Sequence, residues 1–273
     1  MAVLLCNGRI VEAGDGASDA RAAVHALAQR NYGHFTSMQV RGRAVRGLDL
    51  HLRRLRAATR ELFATDLDDA RVVDGLRRGL DAAATSDCSA RVTVCAAGFD
   101  FRDPLRALDV DVLVSISAPA EPEPEPRRVK AFRHERALPH VKHVGTFPLF
   151  HFAREARSAG FDDALFVTHD GRISEGSVWN LGLWDGRQVT WPEAPALRGT
   201  GEQLLQAGLD ALGVPQARRA VRLTELTEFR AGFACNSRGA WALGGVDQMA
   251  WPADAGLAEL LAQALAGRPW DPV

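Results

Sequence analysis

The chain has 273 residues, 47% of them hydrophobic, and a formal net charge of −1; it is long enough to bury a substantial core as one large domain or two smaller ones. Arginines are matched by Asp and Glu along its length, so there is no field for nucleic acid or an anionic membrane, and neither is expected as a partner. No apolar run approaches about 18 residues, and the opening MAVLLCNGRIVEAG has no basic region and too short an apolar stretch for a secretory signal, so a soluble cytoplasmic protein is expected.

In chain order, residues 3 to 11 and 33 to 45 read as strands, the first with turn chemistry at Asn7-Gly8. LHLRRLRAATRELF, Leu50 to Phe63, reads as a helix with Leu52, Leu55, Ala58 and Leu62 on one face. A second helix is expected from Ala70 to Ala84, followed by alternating strands in RVTVCAA and DVDVLVSIS, as in an antiparallel sheet with one wet face. The first half therefore reads as α+β. At residues 121 to 128, EPEPEPRR opposes both helix and central strand, and a domain connection is placed there, with domains at 1–120 and 129–273. Beyond it, Thr146 to Ala159 predicts a helix that stops at Gly160. Hairpins are expected in DALFVTHDGRIS and NLGLWDGRQVTW, and GTGEQLLQAGLDALG opens a helix directly after a glycine loop. Short strands near 217–223 and 233–235 precede a terminal helix at about 255–266.

Of 33 basic residues only Lys130 and Lys142 are lysine. A guanidinium stays protonated, whereas an amine can lose its proton and form a Schiff base. Lys130, after the Pro/Glu run, reads as a solvated linker charge. Lys142 lies in LPHVKHVGTFPLFHF, where apolar neighbours would desolvate it and lower its pKa from about 10.4. Cys6, Cys88, Cys95 and Cys235 show neither paired nor metal-ligand spacing, so reduced thiols are expected rather than a disulfide framework or a metal site.

Four further features suit an aldehyde cofactor that carries a phosphate. Glu175, at the start of a strand in ISEGSVWNLGLW, could keep a pyridine nitrogen protonated. Gly199, Thr200 and Gly201 precede a helix as a phosphate seat requires. Asn236 and Ser237 follow a short strand in CNSRG, and Arg54 in HLRRL could give a bidentate contact to phosphate. Taken singly, each also has an ordinary reading as a turn carboxylate, cap punctuation, a turn cap or a surface charge. Their joint order along one chain is less ordinary.

In that order the chain resembles the fold-type-IV pyridoxal-phosphate enzymes, the class IV aminotransferase family of branched-chain aminotransferases, D-amino-acid transaminases and aminodeoxychorismate lyases. The resemblance rests on GHFTSMQVRGRAVRGLDLHLRRL, on VKH, and on DDALFVTHDGRISEGSVWNL. It implies a two-domain fold like that of D-amino-acid aminotransferase and pyridoxal 5'-phosphate as cofactor. Lys142 is then the Schiff-base lysine and proton carrier, Glu175 the partner of the ring nitrogen, and Arg54, Thr200, Gly201 and Ser237 the phosphate ligands. Tyr32 falls near a family position that borders the substrate pocket, where it could contribute its hydroxyl or simply pack on the strand. Arg102, in AAGFDFRDP, is either a carboxylate clamp or a loop charge.

Two positions depart from the family. Gly145 and Phe147 stand where relatives have an asparagine or a tyrosine near the ring hydroxyl. The implied activity is amino transfer between an amino acid and a 2-oxo acid, with pyruvate elimination from aminodeoxychorismate, or a non-catalytic protein of the same fold, as alternatives. The resemblance also implies a homodimer.

Overall fold

Asn7 and Gly8, with φ of 49° and 76°, turn β1 (Val3–Cys6) back into β2 (Arg9–Ile10), as their sequence expects. The structure, a computed structural model, describes residues 2–11, 18–121 and 125–273. Its chain divides into two units.

The first unit comprises Met1–Ala120, Val141–Gly145 and Pro269–Val273. After the hairpin come α1 (Ser18–Arg30), β3 (His34–Arg41), β4 (Ala44–Arg46), α2 (Leu48–Phe63), α3 (Asp69–Ala82), β5 (Cys88–Cys95) and β6 (Asp111–Ser117). The sheet is antiparallel, in the order Trp270–Pro272, β4, β3, β5, β6, β1, β2. Leu55, Ala58, Leu62 and Phe63 of α2 are buried in its core, with Leu52 packed at the margin. In α3, Gly75 and Gly79 allow a close approach, since a Cβ there would lie 3.0 and 2.9 Å from the side chains of Val114 and Ile116.

Two buried histidines lie where β3 meets α2. Thr59 donates its hydroxyl proton to the Leu55 carbonyl (2.8 Å), so His34 Nε2, 3.0 Å from Thr59 Oγ1, must be the donor of that pair. Thr36 Oγ1 lies 2.6 Å from His51 Nδ1. Each ring thus meets a hydroxyl, Thr59 for His34 and Thr36 for His51. Burial, aided by the Arg54 charge, lowers His34 to about 3 and His51 well below its ordinary value.

The second unit comprises Glu121–His140 and Thr146–Arg268. It contains β7 (Arg127–Arg133), α4 (Phe147–Ser158), β8 (Asp163–Val167), β9 (Ile173–Gly176), β10 (Asn180–Trp184) and β11 (Val189–Pro192). These are followed by α5 (Thr200–Ala211), β12 (Gln216–Arg219), β13 (Ala231–Asn236), β14 (Gly239–Val246), β15 (Met249–Ala250) and α6 (Ala255–Ala266). The sheet runs β12, β11, β10, β13, β14, β7, β8, β9, with β15 beside β14. Both expected hairpins form, their turns carried by Gly171 (φ 88°) and Gly186 (φ 105°).

The Pro/Glu run corrects one expectation. Residues 122–124 lie outside the described residues, but Arg127 and Arg128 already belong to β7, a strand paired on both sides with β14 and β8. After Pro126 every residue of RRVKAFR again has an N–H to offer, which removes the obstacle to central pairing. Lys130 is thus a strand residue opposite Ala164, its ammonium 5.2 Å from the Phe161 ring centroid, and not a linker charge. All four cysteines are buried, and none is in a disulfide. Among the described residues no helix is long and apolar enough to cross a membrane, and no cluster of His, Cys, Asp and Glu could hold a metal ion.

Helices α5 and α6 meet through Gly208, where a Cβ would lie 2.1 Å from the Ala264 carbonyl oxygen. Because the obstacle is backbone, Gly208→Ala is expected to destabilise the protein by about 3 kcal/mol, the upper part of the overpacking range, read from the midpoint of urea unfolding. The buried histidines predict acid sensitivity. Unfolded, each takes a proton near pH 6.5; folded, neither does until far lower, so stability is full above that pH and falls as pH drops from about 6.5 toward 3. The slope is about 1.4 kcal/mol per pH unit for each histidine, and unfolding free energy measured across that window in His34→Asn should show a shallower fall.

Candidate functional site

Lys142 is placed by backbone pairing. Its carbonyl accepts the Phe35 N–H (2.9 Å), Val144 N–H donates to the Gly33 carbonyl (3.0 Å), and His143 and His34 form an antiparallel bridge. The segment thereby extends the sheet beside the first residues of β3. Val141 anchors it in the core, while Lys142 is half-buried with its ammonium 4.9 Å from the Phe35 ring centroid. The expectation of an apolar neighbour is met by that ring.

Arg54 projects from α2 in the same unit. One terminal nitrogen donates to Thr36 Oγ1, its Nε is buried without a partner, and among the described residues no carboxylate forms an ion pair with it. Burial lowers it to about 10, still cationic at neutral pH. A buried cation without a counter-charge is costly, so this one calls for an anion. Arg54 and Lys142 both add to the burial that keeps His51 neutral, which puts the two cations in one neighbourhood.

The second unit gathers the other expected residues. Glu175 lies in β9 with only 5% of its side chain exposed, its Oε1 2.7 Å from Nε of the equally buried Arg136. Its Oε2 accepts the Leu197 N–H at 3.4 Å, which ties it to the loop that carries Gly199, Thr200 and Gly201. That loop is tightly held, because a Cβ on Gly199 would lie 2.1 Å from Asn180 Oδ1 and one on Gly201 would lie 2.2 Å from the Asn236 carbonyl oxygen. The first turn of α5 consequently abuts the β13–β14 turn that contains Asn236 and Ser237. Asn236 shapes this turn by accepting the Arg238 N–H (2.8 Å) and donating to the Val178 carbonyl (3.2 Å). Thr200 is buried, Ser237 is half-buried, and no side chain caps α5 at Gly199.

Tyr32 and Arg102 both belong to the first unit. Tyr32 donates its hydroxyl to the Leu62 carbonyl (3.2 Å), stacks on Phe99 and meets Phe63 edge-on. Arg102 has 76% of its side chain exposed and lies 3.8 Å from Asp100. Gly145 borders His143, whose Nδ1 would lie 3.0 Å from an added Cβ, and the Phe147 side chain is exposed.

Sequence reasoning missed three residues. Arg91 of β5 lies 3.6 Å over the Phe35 ring that Lys142 also approaches, and its Nε donates to Thr93 Oγ1 (3.3 Å). An arginine on the wet alternation of a strand gives no local signal. Arg136 gives none either, because its partner is 39 residues away. His51 could have been found as the histidine three residues before Arg54, one turn away on the same helix face.

The donors present suit a phosphorylated aldehyde. Among the described residues Arg54 has no counter-anion, the α5 N-terminus has no side-chain cap, Glu175 is a fixed buried carboxylate, and Lys142 supplies an amine.

Comparison with curated proteins gave no match. Among solved structures, a branched-chain aminotransferase from Thermoproteus uzoniensis with norvaline superposes with a TM-score of 0.84 at 16% identity, over 96% of this chain and 93% of the other. A protein from Legionella pneumophila assigned as a 4-amino-4-deoxychorismate lyase gives 0.81 at 16% identity, over 88% and 92% of the two chains. A hypothetical aminotransferase from Mycobacterium tuberculosis in its PLP-bound form gives 0.78 at 20% identity, over 97% and 99%. These likenesses show the fold. The family model described as Amino-transferase class IV matches residues 33–242, most of the chain and nearly every group described above. The chain therefore belongs to the class IV aminotransferases, a family of pyridoxal-phosphate-dependent enzymes.

Proposed function

We propose that the protein is an aminotransferase that moves an amino group between an amino acid and a 2-oxo acid. In this reading Lys142 and Arg54 of the first unit and Glu175, Thr200, Gly201 and Ser237 of the second hold pyridoxal phosphate. The observation that carries it is Arg54, a buried guanidinium in the neighbourhood of Lys142 that has, among the described residues, an unpartnered Nε and no carboxylate in an ion pair with it. When bound, the cofactor supplies an aldehyde that condenses with amines and a ring that withdraws electron density from the substrate α-carbon.

The protein's residues do the rest. Lys142 anchors the cofactor and, as a free amine, takes the proton from the α-carbon and returns it at the other end of the transfer. Glu175, fixed by Arg136, holds a proton on the ring nitrogen. The backbone N–H groups of Thr200 and Gly201, the Ser237 hydroxyl and Arg54 take the phosphate. For the substrate carboxylate Arg91 is favoured over the solvated Arg102, because its guanidinium carbon lies 3.6 Å over the Phe35 ring that Lys142 also approaches. Tyr32 keeps a packing role, its hydroxyl already donated. The reading includes a cytoplasmic homodimer; Phe147 and Phe150, which α4 leaves exposed, support a partner surface.

Lys142→Ala is expected to abolish turnover, and borohydride reduction of the loaded wild-type protein should leave the cofactor on the Lys142 peptide; an adduct on Lys130 alone would overturn the assignment. Amino donors should convert the bound cofactor to its amine form. Pyruvate release from aminodeoxychorismate without that conversion would instead establish the lyase. Arg136→Met removes the guanidinium that meets Glu175 Oε1 at 2.7 Å, so the carboxylate is held less firmly against the ring nitrogen. Turnover should fall by about 10²-fold, the low end of what a proton-handling group contributes, with the cofactor still bound by its absorbance.

A further inference from the structure

Two polar side chains beside Arg54 have no part in the reading above. Thr36 is reached from α2 by both His51 and Arg54, on the face of β3 that carries Met38 and Val40 into the core. His51 lies one turn before Arg54 on the helix. Thr36 is fully buried and His51 is 1% exposed. Apolar residues would fill both positions without the cost of burying a hydroxyl and an imidazole, so the pair calls for a reason.

Their hydrogen bonds run in one direction. Thr36 Oγ1 receives a terminal N–H of Arg54, which can only donate. The same oxygen lies 2.6 Å from His51 Nδ1. If that nitrogen also carried a proton, two donors would converge on one oxygen and the threonine proton would have no acceptor at either contact. The Thr36 proton therefore goes to Nδ1, and the His51 ring is neutral with its own proton on Nε2. Burial and the charges of Arg54 and Lys142 favour the same neutral form. Arg54, Thr36 and His51 thus make one directed chain that ends on an imidazole acceptor.

A guanidinium is a flat fork on a rotatable stem, and it meets a phosphate well only when the fork is already turned toward it. We infer that Thr36 and His51 are positioning residues for Arg54: Thr36 holds one corner of the guanidinium, and His51, by taking the hydroxyl proton, keeps the threonine oxygen turned to receive it. The donors that remain on Arg54 are left for the cofactor phosphate. The inference rests on the assignment of Arg54 to that phosphate proposed above. Neither residue touches a reacting atom; His51 acts through Thr36, and Thr36 through Arg54.

The test compares cofactors with and without the phosphate. Dissociation constants for pyridoxal phosphate and for pyridoxal are measured by absorbance titration on wild type and variants. Thr36→Val keeps the shape and removes the hydroxyl; it should weaken pyridoxal phosphate about tenfold, the order of one hydrogen bond to a charged group, and leave pyridoxal unchanged. Thr36→Ser should recover most of the loss. His51→Leu should weaken pyridoxal phosphate in the same selective way, whereas His51→Asn, which keeps an acceptor close to the position of Nδ1, should retain most of the affinity. Because His51 acts through Thr36, the double variant Thr36→Val/His51→Leu should bind no more weakly than Thr36→Val alone. An equal loss for both ligands, additive losses in the double variant, or a Ser variant as weak as the Val variant would overturn the inference. Thermal unfolding of the unliganded variants shows which of them fold, and if His51→Leu does not, the comparison of Thr36→Val with Thr36→Ser decides. If wild type itself binds pyridoxal as tightly as pyridoxal phosphate, the phosphate assignment of Arg54 fails and the inference falls with it, an outcome read before any variant is made.

Discussion

Placement of Lys142 depends on a few backbone hydrogen bonds. Between Val141 and Gly145 the chain belongs to the first unit, held by pairing to Gly33, His34 and Phe35 and by Val141 in the core. Backbone pairing fixes the direction of successive side chains, so the residue beside Phe35 must alternate with the one beside His34. A slip of one residue would exchange Lys142 with His143. The amine's position is thus set by register, and the register is set by residues that do no chemistry.

Around that fixed point the first unit maintains an unusual charge state. Arg54 is buried with hydroxyl and imidazole neighbours and no carboxylate, and both imidazoles are kept neutral. The second unit makes the opposite choice and pairs its buried charges: Glu175 with Arg136, and Glu202 with Arg198 and Arg218. An anion is welcome at Arg54 because, among the described residues, no carboxylate pairs with it. Glu175 is the complementary case, a buried carboxylate that already has a guanidinium 2.7 Å away.

Much of this was legible where the signal is local. The α2 face, the two Asp-Gly hairpins, the glycine loop before α5 and the rarity of lysine each speak through a few adjacent residues. α1 was not seen, because SDARAAVHALAQR carries little amphipathic contrast. β7 was hidden by the prolines before it, and the terminal Trp270–Pro272 strand by its brevity and its proline. The pairing of Arg136 with Glu175, and the convergence of Arg91 and Lys142 on Phe35, are products of sheet register, which no window of sequence displays. Tyr32 shows the reverse limit: its position suggested a pocket, but its hydroxyl is consumed by the Leu62 carbonyl of the helix next to it.

The glycine loop also restricts how the protein can change. Asn180 Oδ1 lies where a side chain at Gly199 would begin, and the Asn236 backbone lies where one at Gly201 would begin. Two of the three loop residues are therefore closed to substitution unless β10 or the β13–β14 turn moves as well. On the proposed reading, any change in anion preference would have to run through Thr200, Ser237 or Arg54, while the two glycines on either side of Thr200 stay as they are.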